Sequence, residues 1–115
     1  MRPNRPEMSV SHDRLAPVLR LRGDIDLATY PTVEAALAVR LSRAPRVLVV
    51  DLSEVGFIGS SGLLLLARTR EDTDGRIMVA GCVPGVLRAM EVTGLLGTIS
   101  PYRTVGDALA SVAEC

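Results

Sequence analysis

The 115 residues carry thirteen basic and thirteen acidic side chains, so this chain of single-domain length has no positive field for a nucleic-acid backbone and no like-charge run for a membrane surface. Hydrophobic residues make up 48% of it, enough for a buried core, but one Phe, two Tyr and no Trp leave that core aliphatic and supply no base-stacking platform. Every basic residue is an arginine, which removes the catalytic schemes that need a lysine.

Met1–Glu7 is polar, holds two prolines and lacks the apolar stretch of a signal peptide. It is expected to be a flexible N-terminal segment ahead of one domain over 8–115. Met8 to Asp13 reads as a weak strand. Val18 to Arg22 alternates apolar and polar, the pattern of a strand with one wet face. Gly23 is expected to end it, with Asp24 to Tyr30 as a turn. Pro31 suits the first turn of a helix, and Val33, Ala36, Leu37 and Leu41 continue at helical spacing to about Ser42.

Val47 to Val50 is a continuous β-branched-rich run, as in a central strand covered on both faces and ending at Asp51. A loop is expected over Ser53 to Ser61, then a helix from Gly62 to Arg70. Ile77 to Ala80 is a further buried strand. Pro84 opens a helix that ends near Gly94, and Thr98 to Ser100 reads as a short edge strand. Val105, Ala108, Leu109, Val112 and Ala113 form the stripe of an amphipathic closing helix. Strands alternating with helices predict an α/β fold: a mixed sheet of four to five strands packed by about four helices.

Cys82 and Cys115 are not a disulfide framework; they are expected to be free thiols in a cytoplasmic protein. No stretch approaches the ~18 apolar residues of a membrane span. Asp24, Asp26 and Asp51 fall where strand ends could build a phosphate-handling metal site. A receiver-type site would also use a lysine, and Ala28 stands where a phosphatase of the Asp-x-Asp-x-Thr kind has its threonine. Turn and cap roles are expected for them instead. Gly59-Ser60-Ser61-Gly62 is not a nucleophile elbow, and His12 lies far away in sequence. No catalytic residue, metal or cofactor is expected.

Ser60 and Ser61 precede an apolar helix. One reading makes a serine its N-cap. The other uses the free N–H groups at the helix start, which tolerate a phosphoryl group. Such a group adds about −1.5 to −2 charges and spoils a docking face without disturbing the core. Leu63 to Ala67 is apolar all round, so part of it is expected to face a partner or a neighbouring helix.

Leu21-Arg22-Gly23-Asp24-Ile25-Asp26-Leu27-Ala28, Val49-Val50-Asp51-Leu52-Ser53, Phe57-Ile58-Gly59-Ser60-Ser61-Gly62-Leu63 and Val92-Thr93-Gly94-Leu95 together resemble the bacterial anti-sigma factor antagonists of the STAS family. The resemblance runs from about Val18 to Ala113. It implies a protein that, unphosphorylated, binds an anti-sigma factor that is also an ATPase-fold serine kinase, so releasing a sigma factor for transcription in a stress response. It further implies phosphorylation at Ser61, with Ser60 as the alternative, and a separate serine phosphatase that restores binding. The implied partner face comprises Asp24, Asp26, Leu27, Ala28, Ile58, Gly59, Ser60, Ser61, Leu64, Gly94 and Leu95, and Asp26 is expected near Ser61. The family often has Asp before the two serines; here Gly59 leaves that loop free to take another path. A weak homodimer is compatible with the sequence. Two other functions compete: a non-switching scaffold subunit of a stress-signalling assembly, and a small metal-dependent enzyme acting on phosphorylated substrates.

Overall fold

The computed structural model describes residues 7–113. Glu7–His12 (β1) and Pro17–Ile25 (β2) form an antiparallel hairpin, and Leu48–Ile58 (β3) and Ile77–Ala80 (β4) extend it in parallel. The sheet order is β1-β2-β3-β4. The helices are Tyr30–Leu41 (α1), Ser60–Asp72 (α2), Pro84–Val92 (α3), Leu96–Ile99 (α4) and Val105–Ala113 (α5). This is the expected α/β fold on a mixed sheet; among the described residues it has four strands, and five helices where about four were expected. Glu7 already pairs with Arg22, so the first strand takes in the last residue of the segment expected to be flexible. The rest of that segment, and Cys115, lie outside the described residues. Among the described residues, no helix is long and apolar enough to cross a membrane.

The sheet separates two apolar layers because its strands carry apolar side chains on both faces. Leu19 and Leu21 of β2, Leu48, Val50 and Leu52 of β3, and Ile77 and Val79 of β4 pack with α1 to α4. Val18, Val49 and Ala80 meet Ala108, Val105 and Leu109 of α5 on the other side. Where α5 stops covering that face, charge takes over. Arg20 Nε lies 3.1 Å from Asp51 Oδ2 and 3.7 Å from Glu54 Oε2; Arg22 Nη1 lies 3.1 Å from Glu7 Oε1, and its Nε 3.5 Å from Glu54 Oε1. The outer pairs are solvated and contribute about 0–1 kcal/mol each.

Three strand assignments differ from the reading of the sequence. Gly23 does not end β2: it sits inside the strand at φ +99°, beside shifts in the β2–β3 register. β3 does not stop at Asp51 but continues to Ile58, absorbing most of the expected loop. The register shifts break the two-residue alternation there, so the buried Leu52, Val55 and Ile58 recur every third residue. Thr98 to Ser100 is not a strand. Leu96–Ile99 is a short helix because Leu95 and Leu96 pack on the core and Ile99 is buried. The expected edge contact shrinks to one parallel bridge between Tyr102 and Ala80.

Candidate functional site

The site is built where β2 and β3 end together. Ile25 pairs with Ile58, and Gly59 N–H donates to Ile25 O at 2.8 Å. That bond ties the β2–α1 turn to the start of α2. Asp26 and Thr29 lock the turn reciprocally: Thr29 N–H donates to Asp26 Oδ1 at 3.0 Å, and Asp26 N–H donates to Thr29 Oγ1 at 2.8 Å. This is capping-box geometry. It satisfies two backbone donors of the turn that leads into α1 and explains the buried Thr29. Leu27 and Ala28 form the exposed tip between them, with Leu27 80% exposed.

α2 begins two residues earlier than the sequence suggested, so both serines are helical and neither caps it. The cap position is Gly59, without a side-chain bond. The first intrahelical bond runs from Leu63 N–H to Gly59 O at 3.1 Å, which leaves the amides of Ser60, Ser61 and Gly62 ahead of the ladder. Ser60 is exposed and Ser61 half-buried. The leucine run divides as a helix requires: Leu63, Leu65 and Leu66 are buried, and Leu64 faces out at 41% exposure. Leu27, Tyr30, Ser61, Leu64 and Arg68 line one open hollow of about 210 Å³.

Gly62 is the close-contact point. A Cβ there would lie 2.8 Å from Ile25 Cγ2 and 2.9 Å from Ile58 Cγ1, so the missing side chain lets α2 start against the strand ends. Gly59 is different. Its φ of −80° and ψ of 171° suit any residue, and a Cβ there would meet only ordinary contacts, Ile25 O at 3.8 Å and the Phe57 ring at 3.9 Å. The loop therefore follows no path that only glycine permits. Gly59→Asp should fold normally and raise stability by a few tenths of a kcal/mol, since Asp caps a helix slightly better than Gly. Urea unfolding checks this; a lower midpoint would mean that the loop is tighter than its geometry indicates.

The remaining sequence candidates separate. Asp24 pairs with Phe57 across the β2–β3 ladder, and its carbonyl accepts from Thr29 Oγ1. Ile58 is buried beneath α2. Gly94, at φ +76°, and Leu95 close the last turn of α3, where Leu95 N–H donates to Met90 O; neither lines the hollow beside Ser61. Asp51 is not a cap at a strand end. It lies within β3, 2% exposed, paired with Arg20 and accepting from Ser53 N–H at 2.9 Å. Among the described residues, the carboxylates form no group able to hold a metal ion. Burial pushes the Cys82 thiol up to about 11, opposed by a backbone hydrogen bond at Cys82 and helped to a lesser degree by the Asp51 charge; almost none is thiolate near neutral pH.

Three residues at or beside the hollow escape the sequence reading. Tyr30 comes into the hollow only through the packing of α1 on α2, whereas Arg68 shares one face of α2 with Ser61 and Leu64. Phe57, the single phenylalanine, is 53% exposed beside Gly59. The spacing Ser61, Leu64, Arg68 was a usable signal, because i, i+3 and i+7 share a helix face.

A STAS domain family model matches residues 7–108. The anti-sigma-F factor antagonist RsfB of Mycobacterium tuberculosis is 36% identical over 97 residues, spanning 83% of this chain and 80% of that protein. The crystal structure of an anti-sigma factor antagonist from Mycobacterium paratuberculosis superposes with a TM-score of 0.87 at 34% identity, covering 97% of each chain. The Bacillus cell fate determinant SpoIIAA in its phosphorylated form shares the fold, with a TM-score of 0.63 at 22% identity over 92% of this chain and 99% of that one.

Proposed function

The chain belongs to the STAS domain family, and from that premise we propose that it is an anti-sigma factor antagonist whose unphosphorylated form binds an anti-sigma factor serine kinase of the ATPase fold and whose docking is switched off at Ser61. The role is that of a binding regulator, not of an enzyme. Its relatives RsfB and the Mycobacterium paratuberculosis protein are anti-sigma factor antagonists, and the sigma factor released would then direct transcription. A serine phosphatase would return the chain to its binding form.

The observation that carries the reading is the position of Ser61 on the first turn of α2, half-buried at the rim of a hollow walled by the exposed Leu27 and Leu64. An apolar rim is suited to close packing against a partner. A phosphoryl group on Ser61 Oγ would stand inside that contact, while the leading amides of α2 favour it in the free chain. The partner kinase would supply the group from ATP: Oγ attacks the γ-phosphorus, the bond to the ADP oxygen breaks, and the hydroxyl proton passes to the kinase. Ser60 is exposed outside the hollow, which favours Ser61 of the two.

The test is phosphate incorporation followed by intact mass, using the cognate kinase and ATP. Wild type and Ser60→Ala should gain one phosphoryl group, and Ser61→Ala none. Equal labelling of Ser61→Ala and wild type overturns the assignment.

A further inference from the structure

The hollow beside Ser61 holds a cation with nothing to bind. Among the described residues, Arg68 makes no hydrogen bond and no ion pair. It follows Ser61 and Leu64 on the same face of α2, about two turns or ~10 Å along the axis from Ser61. Helical side chains lean toward the helix N-terminus, so Arg68 leans toward the serine. Leu64 lies between them along that face and lines the same hollow.

The other charged groups near Arg68 do not claim it. The adjoining hollow, about 260 Å³, also has Arg68 on its wall, with Glu34 of α1 and Asp72 of α2, yet neither carboxylate pairs with the guanidinium. Tyr30 borders both hollows and brings no carboxylate to either. In the β2–α1 turn, Asp26 is held by Thr29, and Asp24 lies in the ladder opposite Phe57.

We propose that Arg68 is the internal clamp of the phosphorylated state: once Ser61 carries a phosphoryl group, as the functional reading above requires, the guanidinium turns into the hollow and pairs with its oxygens. The planar fork of arginine matches phosphate geometry and stays charged at any working pH. The hollow is open and Arg68 is exposed, so water screens the pair and its effect on the dianion is modest. The clamp favours the dianion and covers its oxygens, so it lengthens the life of the non-binding state against a phosphatase.

The experiment uses the chain with phosphoserine installed at position 61 during synthesis, so no kinase is involved. Phosphorus NMR gives the second ionisation of the phosphoserine in wild type, Arg68→Gln and Arg68→Lys. Wild type should titrate about half a unit or more below Arg68→Gln, with Arg68→Lys between them. A generic serine phosphatase should act several-fold faster on Arg68→Gln. The unphosphorylated Arg68→Gln chain should keep the wild-type urea midpoint, because among the described residues the guanidinium has no partner to lose. Coincident titration curves for wild type and Arg68→Gln overturn the clamp. That result leaves kinase labelling of Ser61 untouched, and a failure of labelling leaves this titration untouched, so the two ideas fail separately.

Discussion

Gly62→Val should lower the stability of the fold by about 3 kcal/mol, near the upper end of what overpacking costs. Even the first added atom is too close: a Cβ stands 2.8 Å from Ile25 Cγ2 and 2.9 Å from Ile58 Cγ1. Neither isoleucine can retreat easily. Ile25 and Ile58 pair with each other at the ends of adjacent strands, both belong to the buried core, and β-branched side chains have few rotamers to turn to. The alternative is for α2 to lift away, which moves Ser61 and uncovers Leu63 and Leu66. Gly62→Ala offers a graded comparison. It meets the same contacts but gains roughly 1 kcal/mol of helix propensity over glycine, so its net loss should be near 1 kcal/mol. Urea unfolding of the two variants and wild type should place the midpoints in the order wild type, alanine, valine. A valine variant with the wild-type midpoint would show that α2 does not start against the strand ends as described.

That contact also marks where the sequence stopped being legible. Val18 to Arg22 and Val47 to Val50 announced β2 and the first half of β3, because one wet face and two dry faces each leave a simple pattern. The second half of β3 left none. Its register shifts turn the strand between Leu52 and Ile58, and with Ser53, Glu54, Gly56 and Phe57 exposed the segment reads as a loop. Thr98-Ile99-Ser100 looked strand-like from β-branched residues alone, and the burial of Ile99 with Leu95 and Leu96 decided for helix. At the site, the serines, Leu27 and Leu64 could be found from motif and helical spacing. Arg68 follows Ser61 and Leu64 on the same helical face, but Tyr30 could not be joined to them without the α1–α2 packing. Of the two readings of the hydroxyls, the cap rests on how commonly a serine precedes an apolar helix; here the strand runs directly into the helix with only Gly59 between them.

Ser61→Asp should move two measurements in opposite directions. Folding stability should stay level or rise by up to about 1 kcal/mol, because a carboxylate in the first helical turn interacts favourably with the helix dipole. No acidic residue occupies that turn now. Affinity for the anti-sigma kinase should fall at least tenfold, about 1.4 kcal/mol, because the same carboxylate lies within the apolar rim of Leu27 and Leu64 and loses its water when a partner closes over it. True phosphoserine, with nearly twice the charge, should reach about a hundredfold. Ser60→Asp is the control. Its side chain lies on the same turn and gains the same dipole benefit, but outside the hollow, so binding should change by less than about threefold, within the small range typical of rim charges. Titration calorimetry with the cognate kinase, beside urea unfolding of the free chains, reads both quantities. If Ser61→Asp lost affinity only in proportion to lost stability, the carboxylate would be acting by loosening α2, and docking at this rim would no longer explain the switch. Equal affinities for the two aspartate variants would move the contact away from the hollow altogether.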